Sequence, residues 1–380
     1  MSLKSKKILI TGSSGFIGKN LLQKLLEIGC ENIKTFNREN NLSDLGELTE
    51  DCDVIYHLAG ENRPINDDDF DLVNYGLTKK LCDDLAKLSY QRRRKIHLVY
   101  ISSSHVNSPT KYGVSKKKAE NVIENLSKIG VKSTIFRLPG VFGKWAKPNY
   151  NSVVATFCYN VAHGLPIKIN DPQLELRLVY IDDVVEALID AVSKRGTNKL
   201  TLQDVPIEYH ISLVELANKI NQFPKIRSTS AVPPVGRGID RALYSTYLSY
   251  IPCDQFKYEI TSHHDKRGSF VEFLKTSESG QFSFFSAAKG VTRGGHYHHT
   301  KNEKFLVIKG RARFRLRNLI TNEKVEVIVS DKLMEVVDMP PGWAHDITNI
   351  GDGTLLVMLW ANEVFDPAKP DTFHSELEDI

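Results

Sequence analysis

Residues 8–18, ILITGSSGFIG, place three glycines between an apolar run and a segment with helical spacing. A tight strand-to-helix turn needs glycine. A pyrophosphate needs close approach to the backbone N–H groups at the helix N-terminus. Gly12, Ser14, Gly15, Phe16, Ile17 and Gly18 are therefore read as a nucleotide-binding turn. Outward from it, Phe16, Ile17, Leu21, Leu22, Leu25, Leu26 and Ile28 recur as one helical face, and Gly29 suits the C-terminal cap. The runs KILIT (7–11), IKTF (33–36), DVIYHLA (53–59), HLVYIS (97–102) and STIFRL (133–138) are read as strands. Helical patterns over about 71–88 and 112–129 lie between them. Strands alternating with helices predict an α/β, doubly wound parallel sheet of the Rossmann type.

The texture changes near residue 250. QFSFFSAA, EKFLVIKGRARFRLR, EKVEVIVS and TLLVMLWANEVF are short strand-like runs separated by Gly, Asn and Asp, with no helical pattern between them. They predict an all-β barrel or jelly roll. The stretch SAVPPVGRGIDRALYSTYLSYIP (230–252) carries the Pro/Gly punctuation of a join. The expected domains are 1–247 and 248–380, which suits 380 residues. The basic run RRRK at 92–95 is read as a solvated helix end.

With 41% hydrophobic and 25% charged residues, the composition is that of a globular protein. A net charge of +4 points to neither a nucleic-acid nor a membrane partner. Cys30, Cys52, Cys82, Cys158 and Cys253 form no CxxC pair, and the N-terminus shows no signal-peptide pattern. A cytoplasmic protein with reduced thiols is expected.

HLAG (57–60) ends the third strand and adds Leu58, Ala59 and Gly60 to the expected cofactor contacts. After the second strand the sequence is TFNREN, without the acid that holds a ribose 2′-hydroxyl. Arg38 can instead meet a 2′-phosphate, so NADPH is expected over NADH. The fourth strand ends in Ser102-Ser103-Ser104, and Tyr112 and Lys116 follow at i and i+4 on one helix face. A lysine ammonium beside a phenol lowers its pKa and readies it for proton transfer to or from a carbonyl oxygen.

These motifs resemble the extended short-chain dehydrogenase/reductases that act on nucleotide sugars, over about the first 245 residues. The resemblance implies Ser103, with Ser104 as fallback, Tyr112 and Lys116 as catalytic residues, and Asn74 in LVNYG as the helix asparagine. The gap from Ser103 to Tyr112 is shorter than is usual there, which implies a more open nicotinamide site. By position, Asn151, Arg177, Arg237 and Arg241 are candidates for the diphosphate or uracil.

In GVTRGGHYHHTKNEKFLVIKG (290–310), His296 and His298 alternate and so share a strand face, and Glu303 can return from the next strand. PPGWAHDITN adds His345. Three imidazoles and a carboxylate suit Zn²⁺, Fe²⁺, Ni²⁺ or Mn²⁺, with Zn²⁺ expected. The spacing resembles both motifs of the cupin superfamily, although Met334 stands where a glycine usually opens the second. DKRGSFVE (265–272) and GVTRGGHYH (290–298) also resemble the deoxysugar 3,5-epimerases, metal-free cupins. That resemblance implies His296 as general base, with Arg293 and Lys304 on phosphate or the developing oxyanion. The two readings collide at His296, because a nitrogen that holds a cation cannot take a proton.

Nearly the whole chain resembles a family of bifunctional capsular-polysaccharide enzymes. The resemblance implies a homodimer acting on a UDP-linked 4-keto-6-deoxy-N-acetylhexosamine. The all-β domain would invert C3 and the N-terminal domain would then reduce C4. The product is UDP-2-acetamido-2,6-dideoxy-β-L-talose, a precursor of N-acetyl-L-fucosamine. The alternatives are a sugar-nucleotide 4-ketoreductase or 4-epimerase whose cupin is a structural, dimer-forming module.

Overall fold

The computed structural model describes residues 3–92, 95–193, 199–260, 262–265, 268–271, 274–276, 280–363, 366 and 368–377. Arg93 and Arg94 of the basic run, and residues 266, 267 and 272 of the DKRGSFVE stretch, lie outside them. The chain divides into two compact units. The first comprises Met1–Phe142, Tyr150–Ser152 and Leu176–His210. The second comprises Gly143–Asn149, Val153–Glu175 and Ile211–Ile380.

In the first unit, strands β1 (Ile8–Thr11), β2 (Ile33–Phe36), β3 (Val54–His57), β4 (His97–Ser103), β5 (Lys132–Leu138) and β6 (Leu200–Gln203) form one parallel sheet in the order β2-β1-β3-β4-β5-β6. Ile8, Leu9 and Ile10 are all 0% exposed, which is why the sequence reads as an unbroken apolar run rather than an alternation. Helix α1 (Phe16–Glu27) ends where Gly29 takes φ +82°. Helix α3 (Lys111–Lys128) matches the expected position, while the element expected over 71–88 differs. It begins as a π-helical stretch, Phe70–Gly76, and becomes helix α2 only over Leu77–Arg92. The widened turn carries Asn74, whose side-chain amide bonds the Glu61 main chain on both sides, accepting from N at 2.8 Å and donating to O at 2.9 Å.

The second unit contains the all-β part. Strands β7 (Lys257–Glu259), β8 (Gln281–Ala287), β9 (Thr292–Tyr297), β10 (Glu303–Lys309), β11 (Arg311–Asn318), β12 (Lys324–Ser330), β13 (Glu335–Met339), β14 (Trp343–Asn349), β15 (Leu355–Ala361) and β16 (Phe373–His374) form two antiparallel five-stranded sheets. Their orders are β7-β13-β10-β15-β8 and β12-β11-β14-β9-β16. Phe305 of the first sheet meets Phe314 of the second at 5.5 Å between ring centroids, so the apolar interior lies between the sheets. The same unit holds the helices Val153–Ala162, Leu213–Gln222, Lys225–Thr229 and Gly238–Leu248. None of these was expected as a helix. No described helix is long and apolar enough to cross a membrane.

Candidate functional sites

The glycine turn is sterically closed to side chains. Gly12 takes φ +71°, and a Cβ there would lie 2.8 Å from Ala59 Cα. A Cβ on Gly18 would lie 2.1 Å from Gly12 O. Helix α1 begins after Gly15 with no side-chain cap hydrogen bond, the kind of helix N-terminus that can receive an anion. Beside it, Asn37 Oδ1 accepts from Ser13 Oγ at 3.1 Å and from Ser14 N at 3.0 Å. Arg38 is 83% exposed, and its Nη2 lies 2.5 Å from Glu61 Oε2. Sequence reasoning missed Glu61, because the pairing spans 23 residues and no local pattern reports it. Its carboxylate also accepts from the backbone N of Asn62 and Arg63 and from the Tyr150 hydroxyl at 3.0 Å.

His57 of the HLAG stretch was also missed as a working residue. Thr78 Oγ1 donates to Asn74 O at 2.7 Å, so it accepts from His57 Nε2 at 2.8 Å. His57 Nδ1 then accepts from Thr11 Oγ1 at 2.7 Å. Burial, then the Lys116 charge, pushes this imidazole down to about 3, so it is neutral and serves as a fixed link. The chain of bonds ends on Asn74, which also donates to Ser115 Oγ at 3.1 Å.

Tyr112 is hydrogen-bonded to Ser103, which also accepts from His105 N at 3.1 Å. Ser104 instead donates its N–H to Leu138 O. Burial raises the Tyr112 phenol and the Ser103 bond only partly opposes it. The expected lowering is therefore not met: the net direction is up. Lys116 Nζ donates to Ile101 O at 3.1 Å and lies 5.0 Å from the Tyr100 ring centroid. Burial lowers its ammonium to about 8, against the opposing charge of Glu120. Phe70 packs edge-on to Tyr112 at 5.8 Å.

The substrate candidates are less uniform. Arg177 is clamped by Glu208 through two bonds of 2.6 and 3.0 Å. Asn151 Oδ1 lies 3.5 Å from Arg63 Nε. In the second unit, Arg237 occupies the N-cap position of the helix Gly238–Leu248 without a side-chain cap bond, and Arg241 donates to Thr300 Oγ1. Arg293 lies over the Phe285 ring at 5.0 Å, and Phe285 touches Phe305, which touches His345.

The second site brings His296, His298, Glu303 and His345 together. One donor atom from each lies within 4.8 Å of the others. Gly294 makes this possible: φ is +103°, and a Cβ there would lie 2.9 Å from His345 O, at a register shift between β9 and β14. Glu303 Oε2 lies 3.2 Å from His298 Nε2 and 3.4 Å from His345 Nε2. The outer nitrogens are tied down, His298 Nδ1 to Asp371 O and His345 Nδ1 to Trp343 O at 3.4 Å. His345 Nε2 is buried with only the 3.4 Å approach of Glu303 Oε2 and no well-formed hydrogen bond among the described residues, an arrangement that a bound cation would satisfy. Burial, then His345 and His298, pushes His296 down to about 3. Burial would raise Glu303, but the two histidines outweigh it and hold the carboxyl well below its usual range. Inward lone pairs, anchored outer nitrogens and one carboxylate fit a divalent cation.

Lys304 does not join them. It follows Glu303 on β10 and so points to the opposite face. There it is buried, 2.6 Å from Asp338 Oδ1 and 2.9 Å from the Tyr258 hydroxyl. Arg227 binds the other Asp338 oxygen at 3.0 Å. Burial alone would lower the Lys304 ammonium, yet Asp338, Tyr244 and Tyr258 prevail and the direction is up. The oxyanion role expected for Lys304 is therefore at odds with its position. The cluster instead pins the helix Lys225–Thr229 to the sheet.

A family model described as the NAD-dependent epimerase/dehydratase family matches residues 8–201, and one described as the polysaccharide biosynthesis C-terminal domain matches 263–373. The chain is 48% identical over 368 residues to a UDP-2-acetamido-2,6-beta-L-arabino-hexul-4-ose reductase of Pseudomonas aeruginosa, covering 97% of this chain and 98% of that one. It is similar to the crystal structure of the capsular polysaccharide assembling protein CapF of Staphylococcus aureus. The identity is 38%, 98% of this chain and 100% of that one are covered, and the TM-score is 0.65. The Bordetella bronchiseptica enzyme WbmF, solved with NADH, is 21% identical over 58% of this chain and 77% of its own, with a TM-score of 0.52, and shares the fold.

Proposed function

The chain belongs to the NAD-dependent epimerase/dehydratase family in its two-part, CapF-like form, and we propose that it works twice on one ketone. The substrate in this reading is a UDP-linked 4-keto-6-deoxy-N-acetylhexosamine. The all-β part inverts C3, and the first unit then reduces C4. The order is chemical, since the C3 proton is acidic only while C4 is a ketone. The product is UDP-2-acetamido-2,6-dideoxy-β-L-talose, and the working form is a homodimer.

The Tyr112–Ser103 bond beside buried Lys116 is the observation that carries the reductase half. When bound, NADPH supplies hydride to C4, and Arg38 meets its 2′-phosphate. Tyr112 donates its phenolic proton to the C4 oxygen while Ser103 steadies that oxygen. The raised phenol suits this direction, because it carries its proton at neutral pH. Asn74, held by Glu61 and the His57 chain, keeps the π-helical stretch against α3.

In the all-β part, His298, Glu303 and His345 would hold a divalent cation, Zn²⁺ by donor set, which would polarise a carbonyl oxygen. His296 alone of the four is not fully buried, and we assign it the C3 proton transfer. Arg293, exposed and stacked over Phe285 on the same strand as His296, is assigned to phosphate or the developing oxyanion. The position of Lys304 favours one rival, a ketoreductase whose all-β part is only structural. Tyr112→Phe separates the two. It should abolish NADPH oxidation while C3 exchange with solvent continues, and His296→Ala should do the reverse on pre-epimerised substrate. A Tyr112→Phe protein that oxidises NADPH at the normal rate would refute the first assignment.

A further inference from the structure

We propose that Asp371 is a positioning residue of the cation site, and that residues 371–375 are a structural part of that site rather than a passing tail. The inference rests on the reading of His298, Glu303 and His345 as the holders of a cation in the cluster they form with His296. Its support is the way one short segment meets the ligand loop. The Asp371 carbonyl accepts Nδ1–H of His298. That bond selects the tautomer whose Nε2 lone pair faces inward, 3.2 Å from Glu303 Oε2. The Asp371 carboxylate accepts the N–H of His299 at 2.9 Å, of Thr300 at 2.6 Å and of Lys301 at 2.7 Å, and the Thr300 hydroxyl at 3.0 Å. Three consecutive backbone donors between two ligands thus converge on one side chain.

The neighbours of Asp371 continue the contact in antiparallel order. Thr372 Oγ1 accepts from Lys301 Nζ at 2.7 Å. Phe373 pairs with Tyr297 and stacks on it at 5.5 Å, and His374 pairs with His296. Ser375 N donates to Gly295 O at 2.8 Å. Residues 295–301 therefore have their backbone held along its length by 371–375. Without the carboxylate the three N–H groups lose a charged acceptor and the loop between His298 and Glu303 loosens. The Asp371 carbonyl then drifts from His298, whose imidazole is free to take the tautomer that turns N–H toward the cation.

The test uses the full chain, loaded with Co²⁺ and titrated against a competing chelator. Asp371→Ala should weaken Co²⁺ binding about 10- to 100-fold, as is usual for loss of a group that orients a metal-ligating imidazole, and should alter the visible ligand-field bands. Asp371→Asn keeps the shape and one acceptor oxygen and should fall between Asp371→Ala and the parent. Phe373→Leu, which trims packing but leaves the carboxylate, should keep the parent spectrum. Affinity within twofold of the parent and unchanged bands in both Asp371 variants would overturn the proposal. So would a loss in Phe373→Leu as large as in Asp371→Asn, since packing would then be the cause. A parent chain that binds no Co²⁺ would instead overturn the underlying reading of a cation at this cluster.

Discussion

Lys116→Met should stabilise the first unit while ending reduction. The lysine ammonium is lowered from its ordinary 10.5 to about 8, chiefly by burial. At about 1.4 kcal/mol for each tenfold change in proton affinity, the charge costs the folded state about 3 kcal/mol. Methionine keeps the apolar stem and removes the charge. It also removes the bond to Ile101 O and the contact with the Tyr100 ring. Those losses offset about 1–2 kcal/mol, which leaves a net gain of about 1–2 kcal/mol at pH 7. The sign follows from the protons bound. The folded pKa lies below the unfolded one, so the penalty is whole below about pH 8 and fades as pH rises toward 10.5. The gain should therefore vanish by about pH 10. The assay is urea unfolding at pH 7 and pH 10, following the transition that added NADPH shifts. A variant less stable than the parent at pH 7, or a difference independent of pH, would refute the reasoning. In the parent, reduction should fall as pH rises through about 8, because Lys116 loses its charge there.

Arg38→Ala should raise the KM for NADPH about 10-fold or more and leave that for NADH nearly unchanged, since one charge-assisted contact to a 2′-phosphate is lost; steady-state kinetics with both cofactors measures this. Lys304→Met should cost about 3 kcal/mol, because it breaks a buried pair at 2.6 Å, yet leave C3 exchange intact; denaturant unfolding and NMR exchange report the two effects. Gly342→Ala should destabilise the second unit by about 1–3 kcal/mol, since φ is +78° and a Cβ would lie 2.9 Å from the Trp145 ring; its melting temperature should drop.

What the sequence made legible was local. β1, β3, β4 and β5 are buried on both faces, so their apolar runs stand out. Gly12, Gly15 and Gly18 mark a turn where side chains cannot fit. His296, His298 and Glu303 cluster because strand alternation sends them inward. The helix Leu213–Gln222 also carries a local signal, the Ser212–Glu215 capping box. Lys304 was misplaced because a motif match counts residues without asking which face each takes. The pairing of Arg38 with Glu61 and the grip of Asp371 on residues 299–301 join distant segments, so no window of sequence contains them. The raised Tyr112 phenol likewise depends on burial, which the i, i+4 spacing of Tyr112 and Lys116 does not reveal.

The central claim, one ketone worked on by two sites, is tested most directly by incubating the 4-keto UDP-sugar with the protein in D₂O without NADPH. Deuterium should enter at C3, and C4 should remain a ketone until NADPH is added. An unlabelled C3 recovered alongside a normally reduced C4 would contradict the account.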